Sequence, residues 1–120
     1  MNQMIDSPHP MIASDRVEGT AVFNRAGDRL GRVARFMVDK VSGHAQYAIM
    51  SFGGLFGIGH RHYPLPWQAL DYEPEKGGYV VDLTKEQIEG APGYDAQGEE
   101  PKYDRAYQEQ VYTYYGFPYL

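Results

Sequence analysis

From residue 19 onward the chain alternates short apolar runs with turn residues, the pattern of consecutive β-strands and not of helices. Thr20-Ala21-Val22-Phe23-Asn24 reads as a first strand, and Gly27 in Arg25-Ala26-Gly27-Asp28 supplies a turn with positive φ. In residues 29–39, Leu30, Arg32, Ala34, Phe36 and Val38 alternate with Gly31, Val33, Arg35, Met37 and Asp39, so neither face is purely polar. That is expected of a bent barrel strand, with Gly31 at the bend. A turn at residues 40–43 leads into residues 44–52, where Tyr47, Ala48, Ile49 and Met50 make the centre apolar on both sides. This strand is predicted to be the most buried.

Residues 51–67 mix glycines, aromatics and prolines more densely than any other stretch. Gly53, Gly54, Gly57 and Gly59 open backbone angles closed to other residues, while Phe52, Leu55, Phe56 and Ile58 between them are large and apolar, so the loop is a shaped one. Pro64 and Pro66 forbid a helix and hold residues 60–65 extended, as an edge-type strand ending at Trp67. Further strands are predicted over residues 67–72 and 79–83, separated by a proline and glycine turn. Thr84 then has the side chain of a helix N-cap, Gln87 stands in the capping-box position and Ile88 is the anchor, before Gly90 and Pro92 stop the helix. Residues 93–102 are polar and acidic, a linker by composition. Pro101 can open a last helix whose apolar stripe is Tyr103, Ala106, Tyr107, Val111 and Tyr114, with Gly116 to end it. The organisation read from this pattern is a flexible leader over 1–14, one domain over 15–92, and an acidic linker with a tyrosine-rich helix over 93–120.

Composition narrows the picture. At 120 residues with 42% hydrophobic content, the chain fits one domain with a modest core. It has no cysteine, which removes disulfides, thiol catalysis and thiolate metal sites and agrees with a cytoplasmic location. Residues 1–16 contain no apolar run, and nothing later reaches membrane-spanning length. The formal net charge of −5 opposes general nucleic-acid binding.

Candidate chemistry is sparse. The glycine loop lacks the helix that a phosphate loop needs at its exit, and it has no Gly-Lys-Ser/Thr ending. His60 and His62 are two apart, so in a strand they share a face and could reach one metal ion, but no third ligand is fixed by spacing. No serine stands in a nucleophile-elbow context. Neither a catalytic residue nor a cofactor is therefore assigned. Tyrosine is the excess: eleven in all, seven of them from Tyr94 onward. Tyrosine rings bury large area while the hydroxyl tolerates water, which suits contact surfaces. Tyr107, Tyr112, Tyr114, Tyr115, Phe117 and Tyr119 are the candidate interaction residues, with Tyr112, Tyr115 and the 117–120 tail offered to a partner.

These features in this order resemble a known family. Gly19-Thr20-Ala21-Val22-Phe23-Asn24, Gly27-Asp28-Arg29-Leu30-Gly31, Tyr47-Ala48-Ile49, Gly53-Gly54-Leu55-Phe56-Gly57-Ile58-Gly59, Pro64-Leu65-Pro66-Trp67, the segment from Leu83 to Pro92 and Tyr114-Tyr115-Gly116 are similar to stand-alone soluble members of the PRC-barrel family, named for the H subunit of the photosynthetic reaction centre. The resemblance implies a mainly β fold, a small, strongly bent antiparallel β-barrel of about six strands. It implies a binding platform: the module caps a membrane complex in the reaction-centre subunit and contacts a ribosomal protein in a ribosome-maturation factor. No catalytic motif carries over. The expectation is a non-enzymatic protein-interaction or assembly module that forms homo-oligomers. The alternative is a small-ligand or metal-binding sensor built on the Gly53 to His62 region. In either case Gly53, Gly54, Gly57, Gly59 and Trp67 are read as a structural loop around a small core.

Overall fold

A computed structural model describes residues 11–53 and 60–118. Gly54, Gly57, Gly59, Tyr119 and most of the leader lie outside them. Among the described residues seven strands form one sheet: β1 (Ala21–Asn24), β2 (Arg29–Val38), β3 (Ala45–Gly53), β4 (His60–Pro66), β5 (Asp71–Glu73), β6 (Gly78–Val81) and β7 (Tyr94–Asp95). Their order is β5-β6-β1-β2-β3-β4-β7, and the end strands β5 and β7 do not pair, so the ladder is open. Neighbours are antiparallel except β1 and β6, which run parallel because the β5–β6 hairpin lies along the free edge of β1. That pair departs from the all-antiparallel expectation.

The helices α1 (Ser14–Val17), α2 (Lys85–Glu89) and α3 (Arg105–Tyr115) accompany the sheet. α2 starts as its sequence requires. The Thr84 hydroxyl accepts from the Gln87 amide at 3.1 Å, and the Thr84 amide donates to Gln87 Oε1 at 2.8 Å. α3 begins at Arg105 and not at Pro101, because the Asp104 carboxylate accepts from the Tyr107 amide at 2.9 Å and fixes the first turn there. It ends at Gly116, whose φ of 80° lets Phe117 N–H reach Tyr112 O at 2.9 Å.

Two segments differ from the sequence reading. Residues 67–69 form a single 3-10 turn after Pro66, which leaves only Asp71–Glu73 as strand. The acidic linker joins the sheet: Arg61 pairs with Asp95 and His62 with Tyr94, and Ala96 N–H donates to His60 O at 3.1 Å. The folded unit therefore runs past residue 92.

β3 explains the layering. Tyr47, Ala48, Ile49 and Met50 are each no more than 2% exposed, as its two-sided apolar pattern predicts. Ala48 and Met50 join the principal core with Val22, Val33, Leu65 and Ile88. Tyr47 and Ile49 point the other way, into a second cluster closed by Val111 and Tyr112 of α3. Trp67 is half-buried beside that principal core, between Phe36 and Tyr79.

Candidate functional site

Of the tyrosines predicted to make contacts, Tyr107, Tyr112 and Tyr115 lie with Tyr47, Tyr94 and Tyr103 in a layer between β3 and α3. Tyr47 has Tyr103 at 5.6 Å and Tyr112 at 5.7 Å between ring centroids, and Tyr103 meets Tyr107 at 5.2 Å. Tyr47 Oη donates to Gln108 Oε1 at 3.0 Å, while Gln108 Nε2 donates to Tyr103 O at 2.8 Å. Tyr94 and Tyr103 share a hydroxyl contact of 3.2 Å, and Tyr94 Oη donates to Glu100 at 3.3 Å. The hydroxyls of Tyr107 and Tyr115 are buried without a hydrogen-bond partner among the described residues. Burial pushes the Tyr107 phenol up to about 12 and raises those of Tyr103 and Tyr115 as well. These phenols stay protonated at physiological pH and serve packing.

This placement corrects the expected contact face. Tyr112, only 8% exposed, and Tyr115 pack onto the chain's own sheet and do not project toward a partner. Residues 107, 111 and 115 also fit helical spacing, and the outward Tyr47 and Ile49 of β3 select that phase because they need cover. Tyr114 lies beside the stripe, 42% exposed, and donates its hydroxyl to Gln87 O at 2.5 Å, tying α3 to α2. Phe117 is half-buried against the same outer cluster.

Exposed apolar side chains gather elsewhere. Val38 and Val41 are 46% and 98% exposed where β2 turns into β3, and Met11 and Ile12 are 85% and 50% exposed. An open groove of about 740 Å³ lies at this end of the sheet, lined by Met11, Ile12, Ala45, Gln46, Trp67 and Tyr112. Val38 pairs directly with Ala45, and the hairpin turn is held by Asp39, which accepts from the amides of Val41 and Ser42 at 2.9 Å each. These amide hydrogen bonds, first that of Ser42, hold the Asp39 carboxyl below its ordinary range. Apolar runs in the sequence could not reveal this grouping, because it joins the leader, a hairpin tip and the turn after β4.

His60 and His62 share a strand face, as their spacing predicts. His60 Nδ1 lies 3.3 Å from Ser51 Oγ, and the His62 ring meets Tyr94 edge-on at 5.7 Å. Among the described residues no group of three or more His, Asp or Glu side chains is arranged to hold a metal ion. Burial, followed by the charge of Arg35, lowers the His62 pKa, with Arg32 and His60 adding to the effect against Glu100. The unfolded chain then takes up a proton on His62 at a higher pH than the folded chain does. Stability is expected to fall as pH drops below about 6.5 toward the folded pKa. His62→Gln should lose less stability than wild type between pH 7 and 5 in paired urea melts; equal losses would show that His62 does not contribute.

Comparison with curated proteins gives no match. A family model, that of the PRC-barrel domain, matches residues 9–88, more than half of the chain and all of β1 to β6. The mainly β sheet and the matched span lead to one conclusion: the chain belongs to the PRC-barrel family.

Proposed function

We propose that this chain is a non-enzymatic module that acts through protein contacts, self-association included, and that the hairpin end of the sheet is its contact surface. The observation that carries the reading is that the exposed Met11 and Ile12 line an open groove beside the β2–β3 hairpin, whose own Val38 and Val41 are exposed. Exposed apolar groups collected in one place mark interaction surfaces, whereas scattered ones do not. The almost fully exposed Val41 is a projection, and the groove beside it is a recess. A two-fold pairing of two copies can seat each projection in the other's recess.

Truncation before α3 is a poor test, since it would uncover Tyr47 and Ile49 and cause aggregation by itself. Light scattering of the full chain from about 1 to 100 micromolar is the better measurement, with Val41→Asp beside it. Wild type should gain mass with concentration while Val41→Asp stays monomeric with an unchanged melt. A wild type that remains monomeric throughout would end the self-association reading.

A further inference from the structure

On the outer face of the sheet, α3 closes over Tyr47 and Ile49, and one row further along β3 the character changes from aromatic to polar. Ser51 there has Arg32 of β2 on one side and His62 of β4 on the other as direct cross-strand partners. Residues paired in this way project to the same face. His60 joins them through its 3.3 Å contact with Ser51 Oγ. Beside the row, Arg35 is already matched by Glu100 at 3.2 Å. Arg32 is exposed and makes no ion pair among the described residues. The chain has a net charge of −5, yet Arg32 stands uncompensated on this face, and burial, with the charges of Arg35 and Arg32 adding to it, lowers the proton affinity of His62.

We propose that Arg32, Ser51, His60 and His62 form a binding site for a phosphate group, either free or carried by a small monoester. The polar groups come from three adjacent strands: a guanidinium fork, a hydroxyl on the floor that keeps its proton for the ligand when His60 Nδ1–H donates to it, and two imidazoles opposite. A tetrahedral oxyanion has oxygens to meet donors on both sides and beneath, and arginine suits phosphate because its planar fork can bond two oxygens at once. A planar carboxylate meets fewer of these directions, and the neighbouring Arg35 already holds one from Glu100. The overall negative charge repels a long polyanion, so a small phosphate fits better than a nucleic acid. Bound dianion would also favour the protonated form of His62, against the charges of Arg32 and Arg35 from β2, with His60 on the same strand, Tyr94 on the neighbouring β7 and the Glu100 carboxylate held by both Arg35 and Tyr94.

NMR of the full chain tests the site. The ring resonances of His60 and His62 are followed during titration with inorganic phosphate, glycerol 1-phosphate, acetate, and sodium chloride at matched ionic strength. Inorganic phosphate should shift both rings saturably, and Arg32→Gln should bind about tenfold more weakly while keeping its melting curve. Lys85→Gln, on α2 beneath the opposite face, should bind as wild type does. Equal binding of glycerol 1-phosphate would indicate a monoester ligand, and binding of inorganic phosphate alone would indicate the free ion. The proposal is overturned by shifts no larger than those of chloride, by equal shifts with acetate, or by affinity that Arg32→Gln leaves unchanged.

Discussion

Replacing Tyr47 by alanine is expected to destabilise the protein by about 3–5 kcal/mol, the range for loss of a large buried aromatic. The ring is 2% exposed and sits where sheet and helix meet, against Tyr103, Tyr112 and Val111. Its removal leaves a cavity that neighbouring tyrosines cannot fill without giving up their own rotamers, and it strands the Gln108 side chain. Tyr47→Phe separates the two contributions, since only the hydroxyl is lost and the expected cost falls to about 1 kcal/mol. Urea melts of both variants decide it. A cost below 1 kcal/mol for Tyr47→Ala would mean that α3 is not firmly seated on the sheet.

Gly31→Ala should cost about 3 kcal/mol or more, at or beyond the upper end for overpacking. The reason is space. A Cβ there would run into the Ser51 carbonyl oxygen of β3 and come within 3.3 Å of Met50 Cγ. Backbone carbonyls in a paired strand cannot step aside as a side-chain end can, so β2 and β3 would have to part. Gly27 provides the contrast, with open space around it but a φ of +93° that disfavours alanine. The melting temperature should drop further for Gly31→Ala than for Gly27→Ala, and the reverse order would refute the close-approach account.

Several local decisions can be read directly from neighbouring residues. The capping box of Thr84 and Gln87 and the stop at Gly116 depend on side chains and backbone angles within one or two turns, and both form as the sequence predicts. The β3 pattern shows two-sided burial because a strand with apolar residues on both faces needs two covers. The shared face of His60 and His62 follows from strand periodicity alone.

What lay beyond the sequence were the relations between elements. Two phases of the α3 stripe satisfy helical spacing, and only the outward face of β3 chooses between them, turning Tyr112 and Tyr115 inward. The acidic composition of residues 93–102 suggests a linker, but backbone amides and carbonyls pair wherever an edge is free, and β4 offered one to Tyr94 and Asp95. The row of Arg32, Ser51 and His62 comes from three strands whose register no local pattern fixes. The sequence by itself determined the family, through the order of its motifs, and the first four strands and the local caps, because short-range sterics and periodicity set these elements. Tertiary structure alone decided which tyrosines are core, where apolar surface gathers and which charges meet, because each depends on how separate strands and helices are brought side by side.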